Sequence, residues 1–264
     1  MATILAISSH VARGGVGLAA TVPALQWLGH EVWALPTVLL ASRPGLGRLA
    51  GHEMPPSDLA AMLAALEADG CWRSLDAVLT GYFPSPQAVA IAAAAVRRIA
   101  LAAPEIPVLV DPVVGDAGRL YVAEATAAAI RDELLPLATV ATPNLFELGW
   151  LTGASVHALA DTAAAARRLG PATVLVTSAV ETGESIATLA VTKHHAIARM
   201  LTRRPGIPNG AGDLLAGLYL GHLLRGLNHT AALDASLNDL DRVLAASAGR
   251  DVLKLSALGE DRVG

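Results

Sequence analysis

With 264 residues and 53% apolar side chains, the chain can bury a sizeable core and is too apolar to be disordered. A formal charge of −4 with no basic run argues against a nucleic-acid partner, and the single cysteine, Cys71, fits a reducing cytoplasm. Arg97 and Arg98 interrupt the alanine-rich run Ala88 to Ala103 before it could span a bilayer, so no membrane segment is expected.

In chain order, Met1 to Ile7 lacks the basic flank of a secretory signal and supplies the first predicted strand, Thr3–Ile7. Further β-rich runs are predicted at Val32–Leu35, Asp76–Thr80, Val108–Val110, Thr139–Ala141 and Thr173–Val176, with helical stretches between most of them. Continuous apolar strands alternating with helices suit an α/β fold, a mainly parallel sheet covered on both faces. Ligands of such a sheet lie beyond the carboxyl ends of its strands. That rule gathers Ser8-Ser9-His10, Gly81-Tyr82, Asp111-Pro112, Thr142-Pro143-Asn144 and Thr177-Ser178 on one rim.

Proline and glycine punctuate Ala41 to Arg48, the best candidate for a mobile loop. Ile186–Thr192 and Ala196–Leu201 predict a late β-pair joined around Lys193-His194-His195. Adjacent strand residues point to opposite faces, so those two histidines are not expected to share a metal. Leu233, Leu237, Leu240 and Leu244 recur at helical spacing between Thr230 and Ala248 and predict a helix closing one face of the sheet. No repeat or long linker divides the chain, which is read as one domain over residues 1–264.

The chemistry concentrates at Pro208-Asn209-Gly210-Ala211-Gly212-Asp213, followed by the apolar run Leu214 to Leu220. Two glycines flanking an alanine permit a tight turn, and a buried helix is predicted to begin at Asp213. The unpartnered amides and positive dipole end of such a helix would hold a phosphate, with Asp213 placed to take a proton from an attacking hydroxyl. The same residues also fit a plain capping aspartate after a glycine turn.

Asp111 and Glu147 place two carboxylates, and Asn144 an amide, at adjacent strand ends, a donor set that could organise a Mg²⁺–nucleotide complex through water. Each alone also fits an ordinary strand end or helix cap. No G-x-x-x-x-G-K-[ST] occurs, and neither of the two lysines, Lys193 and Lys254, follows a glycine-rich loop, which argues against a P-loop enzyme. Gly15-Val16-Gly17 mimics a dinucleotide fingerprint but stands well after the first strand, and the second strand ends without a ribose-binding acid. The absence of G-x-S-x-G weakens an α/β-hydrolase reading.

Taken in order, Ser9-His10-Val11 with Gly14-Gly15-Val16-Gly17, Met54-Pro55-Pro56-Ser57, Leu79-Thr80-Gly81-Tyr82, Asp111-Pro112-Val113-Val114-Gly115, Thr142-Pro143-Asn144-Leu145-Phe146-Glu147-Leu148 and Gly210-Ala211-Gly212-Asp213 resemble the pyridoxal kinases of the ribokinase-like superfamily. The resemblance runs from about Ile4 to Gly226 and implies a three-layer ribokinase-like sandwich. It also implies ATP-dependent phosphorylation of the 5′-hydroxymethyl group of pyridoxal, and of related B6 vitamers, in a cytoplasmic homodimer with a segment that closes over the ligand. On that resemblance Asp213 would be the base, with Gly210, Ala211 and Gly212 stabilising the moving phosphoryl group. Ser9, Thr37 and Tyr82 would meet the pyridine ring. Asp111, Thr142, Asn144, Glu147, Thr177, Ile207 and Asn209 would serve ATP, and Asp111 and Glu147 its Mg²⁺.

Three departures bear on substrate range and ATP affinity more than on reaction type. Pro44-Gly45 stands where many members carry Thr-Gln, Thr177 where a lysine often meets ATP, and Val180 to Ser185 is shorter than the usual loop. A hydroxymethylpyrimidine kinase is the nearest rival, although Ala211 and Asp213 fill a turn that carries cysteine in some relatives of that branch. A sugar kinase lacks support from the N-terminal glycines, and a non-catalytic pyridoxal or nucleotide binder is disfavoured by the intact Asp213.

Overall fold

The computed structural model describes residues 1–156 and 158–260; His157 and residues 261–264 of the expected domain lie outside them. Parallel strands β1 (Thr3–Arg13), β2 (Glu31–Ser42), β4 (Ala77–Thr80), β5 (Val108–Val110), β8 (Val140–Ala141) and β9 (Thr173–Glu181) form the centre of one sheet. The short β3 (Gly51–Glu53) and the pair β10 (Ser185–Thr192) and β11 (Ala196–Thr202) join antiparallel at its two edges, giving the order β11-β10-β9-β8-β5-β4-β1-β2-β3. β6 (Gly115–Asp116) and β7 (Arg119–Leu120) form a separate small hairpin.

The central strands are apolar without alternation because both faces are covered. Ile4, Leu79, Leu109, Val140 and Leu175 face α1 (Leu18–Trp27), α7 (Ala211–Leu224) and α8 (His229–Ser247). Leu5, Ile7, Val78, Val108 and Val110 face α2 (Pro56–Ala68), α3 (Pro86–Ala102) and α4 (Glu124–Ala129), while Val174 and Val176 meet α5 (Leu145–Thr152) and α6 (Leu159–Leu169). This is the three-layer ribokinase-like arrangement. As expected, Leu233, Leu237, Leu240 and Leu244 are the buried stripe of α8, and each contributes roughly 1.5–3 kcal/mol by leaving water. α7 is apolar on all sides because it lies between α1 and α8, so close to α1 that a Cβ on Gly217 would press on Thr21.

Three local expectations are corrected. β1 does not end at Ile7: Ser8, Ser9 and His10 lie within it, because Leu39, Leu40 and Ser42 of β2 supply a neighbour that carries the ladder on to Arg13. Pro36 cannot donate to that ladder, and there β2 carries one extra residue: Ser8 pairs with Pro36, but His10 pairs with Leu39. β9 likewise runs through Thr177 and Ser178, with an irregularity opposite Thr188 and Ser178 at φ 52°. The segment after it is a tight hairpin turn closed by Thr182 N–H on Ser185 O at 2.8 Å. Finally, α7 begins at Ala211 rather than Asp213, because Gly210 takes the left-handed N-cap conformation and the Leu214 N–H already bonds Gly210 O at 2.9 Å.

Candidate active site

Once Gly210 is the N-cap, Ala211, Gly212 and Asp213 form the first turn of α7, where the amides have no intrahelical acceptor and the dipole is positive. The turn is held by backbone packed on backbone. A Cβ on Gly210 would fall on the Gly15 carbonyl oxygen and against Leu253, and one on Gly17 would fall on the carbonyl and hydroxyl of Ser9. Asp213 is therefore no N-cap. Its carboxylate accepts the Gly17 N–H and its own, and so is pinned between the β1–α1 loop and the start of α7. It keeps a partial opening to solvent, yet the protein around it desolvates the charge and raises its pKa to about 6 against those two N–H donors.

Asp111 sits at the end of β5, buried, with Oδ1 accepting the Thr142 hydroxyl at 2.9 Å. Desolvation first, then the negative charges of Asp213 and Glu147, hold its pKa well above the usual carboxylate range. Asp111 thus feels the negative charge of two carboxylates from two other segments. Such a cluster favours protons or a cation between its members.

Glu147 is less free than its sequence position suggests. Oε1 accepts the Val114 N–H at 2.8 Å and the Gly115 N–H at 3.3 Å, while Oε2 accepts the Asn144 N–H at 2.9 Å. Asn144 returns the bond, Oδ1 accepting the Glu147 N–H at 2.9 Å, which completes a capping box on α5. The Asn144 amide also donates to Gly115 O at 2.8 Å. Together the two side chains brace the loop after Asp111, where Val113 has φ 30°, a strained value for a β-branched residue. Burial outweighs the three N–H donors and lifts the Glu147 pKa to about 7.

Tyr82 is fixed through its backbone. Its N–H donates to the buried Ser8 hydroxyl at 3.1 Å, and its carbonyl accepts the buried Thr37 hydroxyl at 2.7 Å. Thr37, expected to meet the ring, has its hydroxyl engaged in positioning Tyr82. Sequence placed Ser8 on the rim but gave it no role; the hydrogen bond to Tyr82 and the contact with Gly81, too close for a Cβ there, supply one. Ser8→Ala leaves a part-buried N–H without its partner and is expected to cost about 1 kcal/mol, measurable by urea unfolding.

Thr177 lies beside Asn144, its N–H on Pro143 O at 2.9 Å. Ile207 packs on the core under α7 and α8, and Asn209 is exposed next to Gly210. The 41–48 segment is a hydrogen-bonded turn: Arg43 N–H bonds Arg13 O at 3.0 Å and the Arg43 guanidinium reaches Asp251 O at 3.3 Å. Among the described residues no three His, Cys, Asp or Glu side chains converge to hold a metal unaided. His194 and His195 stand edge-on with ring centroids 6.5 Å apart in the β10–β11 turn.

The sheet, the carboxylate rim and the glycine turn at a helix N-terminus define an alcohol phosphotransferase of the ribokinase-like fold. The sequence profile of the phosphomethylpyrimidine kinase family matches residues 12–251. Pyridoxal kinase PdxY of Deinococcus radiodurans is 38% identical over 97% of this chain and 92% of its own, and that of Rubrobacter xylanophilus 41% identical over 88% and 84%. Among solved structures, a pyridoxal kinase of Leishmania donovani in complex with ADP and pyridoxamine superposes with TM-score 0.90 at 28% identity, over 97% of this chain and 94% of that one. The chain belongs to the phosphomethylpyrimidine kinase family and, within it, to the pyridoxal kinases.

Proposed function

We propose that this protein transfers the γ-phosphoryl group of ATP to the 5′-hydroxymethyl group of pyridoxal, and of pyridoxine and pyridoxamine, in salvage of vitamin B6. The observation that carries this reading is the Asp213 carboxylate, raised to about 6 and fixed in the first turn of α7 among amides without partners. A base of that pKa is ionised at neutral pH yet basic enough to accept the hydroxyl proton as the oxygen attacks. The amides of Ala211 and Gly212 stabilise negative charge on the phosphoryl group in flight. Ser9 and the fixed Tyr82 meet the pyridine ring. Asp111, Thr142, Asn144 and Thr177 line the nucleotide side, with Ile207 and Asn209 on the approach to the glycine turn.

The residues fit a Mg²⁺ that travels with the nucleotide. Asp111 and Glu147 are held in charge repulsion that a divalent ion relieves, and the engaged oxygens of Glu147 suit coordination through water with phosphate oxygens completing the shell. When bound, that ion screens the phosphate charge. The family resemblance extends the proposal to a cytoplasmic homodimer, and the solitary Cys71 suits a reducing compartment. No described helix is long and apolar enough to cross a membrane.

The nearest rival reading of the sequence is a hydroxymethylpyrimidine kinase, and the matched profile, that of the phosphomethylpyrimidine kinases, keeps a pyrimidine acceptor in the comparison. A coupled ADP-release assay across pyridoxal, pyridoxine, pyridoxamine, hydroxymethylpyrimidine and ribose separates the readings. Turnover confined to B6 vitamers supports the proposal; preference for the pyrimidine replaces it, and pyridoxal binding without turnover makes the chain a binder.

The acid side of the pH profile follows from the same geometry. Protonated Asp213 cannot accept the hydroxyl proton, so kcat/KM should fall about tenfold per pH unit below about pH 6. An acid limb near pH 4 would mean that the base is an ordinary solvated carboxylate.

A further inference from the structure

After α8 the chain turns back toward the reacting centre and brings Leu253 under both of its glycine turns. Leu253 is 5% exposed and belongs to the core cluster against which Ile207 and Ala211 also pack. A Cβ on Gly210 would come within 3.1 Å of Leu253 Cδ1, and one on Gly15 within 3.5 Å of Leu253 Cβ. One side chain thus backs the place where the Gly15 carbonyl meets Gly210. We propose that Leu253 is a positioning residue for phosphoryl transfer: it holds the β1–α1 loop against the start of α7 and so keeps the Asp213 carboxylate in register with the amides of its turn. The consequence for catalysis rests on the kinase reading above; the contact itself does not.

The support is fixed at its own base. At the end of α8 the Arg250 N–H bonds Ser247 O at 3.0 Å, and the Lys254 N–H bonds the buried Ser247 hydroxyl at 2.9 Å. The same segment grips the other end of the β1–α1 loop through Asp251. Its carboxylate meets Arg13 Nη2 at 3.2 Å, its carbonyl accepts Arg43 Nη2 at 3.3 Å, and the Arg43 N–H bonds Arg13 O at 3.0 Å. Arg13 and Asp251 are exposed, so their ion pair adds little energy, and the buried leucine is the contact that bears on the turns.

The link to the chemistry is Gly17. It lies in the same loop as Gly15, and its N–H donates to the Asp213 carboxylate. Gly210, on the other side of the contact, is the N-cap of the helix whose first turn carries Ala211, Gly212 and Asp213. Shortening Leu253 leaves a void that its surroundings fill only in part. Two glycines have no side chains with which to close it, so the loop and the turn shift relative to one another. A displacement well under 1 Å at the reacting atoms is enough to slow the transfer.

The test separates positioning from plain loss of core packing. Leu233→Ala is the control: Leu233 is equally part of the core but lies near the start of α8, beside the opposite end of α7 from the turn. Leu253→Ala and Leu233→Ala should both lower the thermal midpoint. Only Leu253→Ala should lower kcat for pyridoxal, by about tenfold with KM for ATP little changed, and Leu253→Met, which refills the space, should recover most of it. Independently of turnover, the Gly17 amide proton, followed by ¹⁵N NMR, should exchange about tenfold faster in Leu253→Ala than in Leu233→Ala. Leu253→Val, a smaller truncation, should show both effects in weaker form and serves if the alanine variant does not fold. A wild type inactive on every alcohol removes the kinase reading, and the Gly17 exchange then decides on the contact alone. Equal kcat in the two alanine variants of an active enzyme, or equal Gly17 exchange in them, overturns the proposal.

Discussion

Asp213→Asn is expected to lower kcat by about 10²–10⁴ while leaving KM for ATP and for pyridoxal little changed. The asparagine oxygen can still accept the Gly17 N–H, so the turn keeps its shape and only the proton acceptor is lost. The same variant should be more stable than the parent at pH 8. Asp213 titrates at about 6 in the folded chain against an ordinary value of 3.8, so the folded state holds its proton more tightly than the unfolded one. For such an acid, stability is lost as pH rises from about 4 to 6 and stays lost above. Removing the charge, which also relieves the repulsion on Asp111, should restore on the order of 2 kcal/mol at pH 8 and nothing near pH 4. Thermal unfolding at the two pH values reads this as a Tm gain of a few degrees that vanishes in acid. A variant both inactive and less stable at pH 8 would show that Asp213 is a structural cap.

Gly210→Ala should be nearly as damaging, through a different route. A methyl group there meets the Gly15 carbonyl, and the residue's φ of 113° is one that alanine adopts only under strain. The start of α7 must then swing away from the β1–α1 loop. Losing the alignment of the anion-binding amides is expected to lower kcat by about 10²–10³ and, with the strain, to lower Tm by several degrees. Gly212→Ala is the control, since nothing lies within 4 Å of a Cβ at that position. Its fold should be intact, and turnover should fall only as far as the methyl group obstructs the phosphate. Equal loss of stability in both variants would sink the argument that Gly210 is confined by its contact with Gly15.

The start of every parallel strand was legible because a run of apolar residues bounded by polar ones has few other places to go. The ends were not. Ser8-Ser9-His10 has the composition of a turn, and it remains in β1 only because β2 extends beside it; Thr177-Ser178 remains in β9 for the same reason, with β10 as the neighbour. Glu147 taken singly read more readily as a helix cap than as a metal ligand. Its three backbone donors, two of them from the loop after Asp111, were invisible without the fold.

By itself the sequence determined the layered α/β architecture, the order of the strand-end motifs and the residue types at the proposed site, because periodicity and backbone chemistry act over a few residues at a time. The tertiary structure alone decided that Gly15 touches Gly210, that Gly17 holds Asp213, that Ser8 and Thr37 fix Tyr82 from two strands, and that Asp111, Asp213 and Glu147 share one field. Contacts between residues far apart along the chain depend on how the layers dock, and desolvation exists only once they have.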